Sequence, residues 1–70
     1  INQQEYDKWL NNIEKLKDDY KAVAKMNLIE NFGYKEIADA LDMPINTVKT
    51  KIRRAKAMLL KMMDYSDELL

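Results

Sequence analysis

Only two residues of this chain break a helix by their own chemistry, Gly33 and Pro44. Proline lacks the amide hydrogen that a helix interior needs, and glycine loses more conformational freedom on ordering than any other residue. With so few breakers among seventy residues, helices joined by short turns are the expected state, and the predicted class is all-α. A chain of this length is near the lower limit for one self-supporting core, so residues 1–70 are read as a single domain with no room for a second. It opens on Ile1 rather than Met, which suggests a part excised from a longer protein.

Apolar spacing divides the chain into four helices. Tyr6, Trp9, Leu10, Ile13 and Leu16 lie on one helical stripe and predict a first helix over 4–16. Asp18 or Asp19 can cap a second helix, predicted over 19–31, with Tyr20, Val23, Ala24, Met26 or Asn27, and Ile29 inward. The break at Asn31, Phe32 and Gly33 assigns the left-handed residue to Gly33. A short third helix over 34–41 buries Ile37, Ala38 and Leu41; Asp42, Met43 and Pro44 then form a tight connection. The fourth helix, over 46–63, turns Val48, Ile52, Ala55, Leu59 and Met62 inward. Residues 64–70 read as a frayed end.

The formal charge is zero, with twelve basic and twelve acidic residues, but the two signs are segregated. Residues 1–42 hold nine acids and six bases, whereas residues 43–63 hold Lys49, Lys51, Arg53, Arg54, Lys56 and Lys61 and no acid. A solvated helix face ordinarily mixes Glu with Lys, because such pairs support the helix. Twenty-one residues without an acid point instead to an anionic partner.

Other functions are disfavoured by what is missing. There is no Cys and no His, which removes disulfides, thiolate metal sites and the usual nucleophile and base pairs; no metal, cofactor or small-molecule substrate is expected, and the chain is not read as an enzyme. No apolar run approaches the roughly 18 to 20 residues that cross a bilayer, so a membrane span is not expected, and a cysteine-free chain is compatible with the cytoplasm.

The segment GYKEIADALDMPINTVKTKIRRAKAMLLK joins a short helix to a longer basic one by a tight turn, the arrangement of a helix-turn-helix, here over about 34–63. With Val48 at zero on a helical wheel, Ile52, Ala55 and Leu59 fall within about 40 degrees of it and must face the core. The opposite face then carries Asn46, Thr50, Arg53 and Ala57, flanked by Lys49 and Arg54. Asn and Arg pair with base edges in the major groove, Thr and Ala can meet a thymine methyl, and the small residues let the helix sit deep.

These residues resemble region 4 of bacterial sigma factors, especially of the extracytoplasmic-function group. That pattern is Tyr-x-Glu-Ile-Ala, a short turn, then Thr-Val-Lys/Arg-Ser/Thr-Arg/Lys-Ile/Leu and Arg-Ala-Arg/Lys. Tyr34, Glu36, Ile37 and Ala38 match its first part; Pro44, Thr47, Val48, Lys49, Thr50, Lys51 and Ile52 its second; Arg54, Ala55 and Lys56 its last. Upstream, Leu16, Tyr20, Lys21 and Val23 resemble the opening of the family's second region 4 helix. Three positions depart from the pattern: Lys17 stands for the usual Pro, Asn31 for a frequent Gly, and Gly33 for a capping Ser or Thr.

The resemblance implies a four-helix domain with a C-terminal helix-turn-helix, of the sigma region 4 or winged-helix-like type. It further implies that this domain docks on RNA polymerase and places the fourth helix in the major groove of the −35 promoter element for transcription initiation. Lys49, Thr50, Arg53 and Arg54 are then the base-reading candidates, and Tyr34, Lys35, Asn46, Thr47, Lys51 and Lys56 the phosphate candidates. The implied partners are promoter DNA, the flap of the polymerase β subunit and, frequently in the family, an anti-sigma factor. Trp9 and the five methionines are read as core or as an adaptable protein-binding surface. Two alternatives remain: a response-regulator output domain, which shares Glu-Ile-Ala and Thr-Val-Lys but lacks the following Arg-Arg-Ala-Lys, and a helical protein-interaction bundle.

Overall fold

The computed structural model describes residues 3–63 and contains helices and no strand among them. Helix α1 spans Gln3–Ile13, α2 Asp18–Ala24, α3 Tyr34–Leu41 and α4 Ile45–Met62; α2 runs on without interruption into a π-helical turn, Lys25–Ile29. The all-α class and the four-helix order expected from the sequence are therefore present. With no strand among the described residues, the helix-turn-helix carries no β-wing there.

Helix α4 is the central element, and its single inward stripe serves two adjoining cores. Towards its N-terminus, Val48 and Ile52 pack with Val23, Ile37 and Ala38, closed in by Met26, Leu41 and Met43. Towards its C-terminus, Ala55, Leu59 and Met63 pack with Ile13, Leu16 and Ala24, against which Trp9, Tyr20, Leu28, Ile29 and Met58 are partly buried. Both clusters are apolar throughout, and no charged or polar residue is buried among the described residues. Burying side chains of this kind stabilises by about 1.5–3 kcal/mol each.

The local departures from the expected pattern have identifiable causes. Helix α1 stops at Ile13 rather than Leu16, because the backbone tightens: Lys15 N–H donates to the Asn12 carbonyl at 3.1 Å and Leu16 N–H to that of Ile13 at 3.0 Å. Leu16 still reaches the core, at 8% exposure. The π-helical turn adds a residue to one turn of the second helix, with Glu30 N–H donating to the Lys25 carbonyl. That insertion sends Met26 to one cluster and Leu28 and Ile29 to the other, which is why the apolar face of this helix looked irregular in the sequence. At α2 the position before the helix is Lys17, with no side-chain cap; Asp18 and Asp19 lie inside the first turn, where they complement the helix dipole instead of capping.

The turn between the π-helical segment and α3 reverses one expectation. Asn31, not Gly33, takes the left-handed conformation, with φ of 61°, while Gly33 is extended at φ −76°. Asparagine visits this region at lower cost than most residues, and the turn is held by Phe32 N–H to the Met26 carbonyl and by Asn27 Nδ2 to the Phe32 carbonyl, at 2.9 and 3.0 Å. Gly33 instead precedes α3, where its N–H donates to Glu36 Oε1 at 3.0 Å. This is the half of a capping box that needs no side chain at the cap. Asp42 supplies the second left-handed residue, φ 55°, and Met43 N–H donates to the Ala38 carbonyl at 2.9 Å, the bond of a Schellman end.

Helix α4 begins one residue earlier than expected, at Ile45. Its opening amides, those of Thr47 and Val48, both find the Pro44 carbonyl, at 3.0 and 3.2 Å. At its other end the inward methionine is Met63, 7% exposed, and not Met62, 41% exposed. Four residues beyond Leu59 return closer to the same face than three do once the helix leans on α1.

Candidate nucleic-acid interface

The short α3 and the N-terminal half of α4 are locked together by Ile37, Ala38, Val48 and Ile52, and Ala38 permits the two backbones a close approach. This packing decides which side of α4 looks outward beside α3. There, Tyr34 from the start of α3 joins Lys49, Thr50, Arg53 and Lys56 from α4 around an open concavity of about 350 Å³, with Ile52 at its base. Tyr34, Lys49, Arg53 and Lys56 are exposed and Thr50 is half-buried. Among the described residues no acid lines the concavity, so three cations project the same sign of field over a short stretch of surface.

The other candidates distribute around this centre. Asn46 and Lys35 are exposed, Thr47 is half-buried, and Arg54 is exposed on the next strip of α4, outside the concavity. Lys51, a phosphate candidate, points to another flank of α4. Its ammonium lies 3.5 Å from Asp19 Oδ2 and 5.2 Å above the centre of the Tyr20 ring, and only 21% of its side chain is exposed. It braces α4 against α2 on the flank away from Arg53. Its charge made it look like its neighbours; only its direction around the helix, one step past the core stripe, distinguishes it. The part of Ile52 in the concavity was also missed, since a residue 2% exposed reads from sequence as core alone.

The sequence that builds this basic two-helix corner and the helices behind it matches a known protein family. The family model for sigma-70 region 4 covers residues 7–59. The chain belongs to the sigma-70 region 4 family. Comparison with curated proteins and with solved structures gives no match. The sigma-70 region 4 match runs from within α1 through α2 and α3 to most of α4, so it includes both halves of the core as well as the basic corner. It favours a sigma-factor domain over the response-regulator and interaction-bundle alternatives. The chain is thus a DNA-binding, promoter-recognition domain that works with RNA polymerase in transcription initiation. No helix among the described residues is long and apolar enough to cross a membrane.

The opposite end of the molecule has a different character. Tyr6 and Trp9 of α1 face Leu28, Ile29 and Asn31 across a cleft of about 440 Å³, with no charged residue among the described residues of its lining. Trp9 is half-buried, so its indole contributes to the core and to this cleft together. A second groove, of about 380 Å³, runs between the α1–α2 connection and the end of α4.

Proposed function

We propose that the chain is region 4 of a sigma factor of the extracytoplasmic-function type, and that α4 enters the major groove of the −35 promoter element. The observation that carries this reading is the convergence of Lys49, Arg53 and Lys56 with Tyr34 and Thr50 on one concavity that has no acid among the described residues of its lining. Base reading falls to Lys49, Thr50, Arg53 and Arg54, whose side chains lie on the exposed arc of α4 or beside it; arginine can pair with both acceptors of a guanine edge. Tyr34, Lys35, Asn46, Thr47 and Lys56 sit around that arc and hold phosphates, fixing the register of the helix in the groove. Lys51 serves as the brace between α4 and α2 rather than as a phosphate contact. The chemistry needed is binding alone, so no residue has a catalytic role, no cofactor enters, and the place of action is the cytoplasm, with the polymerase.

The uncharged cleft of Tyr6, Trp9, Leu28 and Ile29 suits an apolar protein segment, and we assign it to the flap of the polymerase β subunit, with an anti-sigma factor as the competitor for the same surface. Labelled promoter duplex titrated with the domain at a series of salt concentrations tests the DNA assignment. Roughly four to six neutralised phosphates predict an affinity that falls steeply as salt rises; an affinity indifferent to salt refutes it. The cleft is tested separately by Trp9 fluorescence on addition of the β flap.

A further inference from the structure

The groove between the α1–α2 connection and the end of α4 has an apolar floor and a basic rim. Leu16, Tyr20, Met58 and Met62 form the floor, and Lys15, Lys17 and Lys61 stand around it. The acids nearby are committed elsewhere: Glu14 to Lys21 and Lys25, Asp18 to Lys21, and Asp19 to Lys51. Among the described residues no carboxylate pairs with Lys15, Lys17 or Lys61. The groove therefore calls for an occupant that is apolar and acidic together.

We propose that residues 64–70 of this chain are that occupant. The segment reads DYSDELL: three acids, Asp64, Asp67 and Glu68, three large apolar residues, Tyr65, Leu69 and Leu70, and no base. It matches the three lysines in number and opposite sign, and it offers apolar side chains for the methionine floor, whose unbranched thioethers adapt to irregular shapes. Reach is no obstacle. The segment follows Met63, which adjoins Met62 of the groove floor, and seven extended residues span roughly 23–25 Å. Covalent attachment gives it an effective concentration in the range of mM, so even a weak intrinsic affinity populates the docked form. This proposal does not depend on how α4 reads DNA.

The chain has no cysteine, so Ser66→Cys in the full chain creates a single attachment point for a nitroxide spin label. Docking predicts that the backbone amides of Leu16, Lys17 and Tyr20, more than forty positions earlier in the sequence, lose most of their NMR intensity. The loss must be independent of protein concentration, and must be reversed in the variant carrying Lys15→Glu, Lys17→Glu and Lys61→Glu. Because the three lysines contribute nothing to the buried clusters, that variant should melt as the parent does; raising the salt well above physiological on the unaltered rim provides the same reversal without it. Broadening confined to the last turn of α4 overturns the proposal. So does broadening that grows with concentration, which would make a second copy the occupant.

Discussion

The two halves of α4 share one inward stripe but keep different company. Its N-terminal half is held by α3, a helix of eight residues with a defined end at either side, Gly33–Glu36 and Asp42–Met43; packing there is tight and the surface left over is cationic. Its C-terminal half is held by α1, the tightened turn at Leu16 and the π-helical segment, which offer larger and less regular side chains; Trp9, Tyr20, Leu28, Ile29 and Met58 are only partly buried, and two apolar hollows remain open beside them. A small domain has too much surface for its volume to bury every bulky residue. In this one five partly buried apolar residues lie at the end away from the basic corner and three, Met26, Leu41 and Met43, beside it. The result is one helix with a cationic end and an end flanked by open hollows.

The largest effects should come where the halves are equal. Ile52 and Leu59, 2% and 0% exposed, anchor the two clusters, and replacing either with Ala should cost about 2–5 kcal/mol through lost contact and a residual cavity. Because both sit on α4, denaturant unfolding should remain a single transition in each variant. Two separated transitions in Leu59→Ala would break the comparison, by showing that the corner of α3 and α4 stands without the other half.

The next effect should distinguish the halves. Arg53→Ala removes an exposed side chain from the concavity and should weaken promoter binding by roughly 1–3 kcal/mol, relaxing preference at one or two base pairs, with thermal melting unchanged. If Arg53→Ala and Arg54→Ala both leave sequence preference intact in a folded protein, α4 is not the reading helix. A finer contrast lies between two lysines five residues apart. Lys56→Ala should lower the salt dependence by about one phosphate's worth for every DNA sequence. Lys51→Ala should leave that slope alone and cost stability by no more than about 0.5 kcal/mol, since an ion pair with an exposed Asp19 is largely screened; an equal loss of slope would return Lys51 to the phosphate contacts.

The smallest effect concerns the cap. Gly33 has an ordinary extended backbone, and a Cβ added there would meet Glu36 Oε1 at 3.5 Å, an ordinary contact. Gly33→Ser should therefore complete the capping box and raise stability by a few tenths of a kcal/mol, measured as a small rise in the midpoint of denaturant unfolding. A fall would mean that the backbone at 33 is less relaxed than its φ implies.

How far each half could be read in advance follows the same division. Helix α3 was legible to the residue, since Gly33 and Pro44 bracket it and Ile37, Ala38 and Leu41 mark its face. The charge segregation over residues 43–63 and the wheel of α4 located the basic surface with its members Lys49, Thr50 and Arg53. The second helix was not legible in this way: a π-helical turn leaves no mark in composition, and it shifts every later apolar residue by one. From the sequence Gly33 is the expected left-handed residue because glycine takes that conformation most easily, yet Asn31 occupies it, since the bonds from Phe32 to Met26 and from Asn27 to Phe32 fix the turn two residues earlier.

By itself, then, the sequence determined the helical class, the basic corner and the residue types able to meet DNA, because periodicity and charge are local properties that survive without knowledge of neighbours. Tertiary structure alone decided that Lys51 turns to Asp19 and Tyr20, that Met63 rather than Met62 goes inward, and that Lys15 and Lys17 come to stand beside Lys61 across a groove. Each of those outcomes depends on the direction from which another helix approaches. That direction is set by how α1, α2 and α3 share the stripe of α4, which no single segment records.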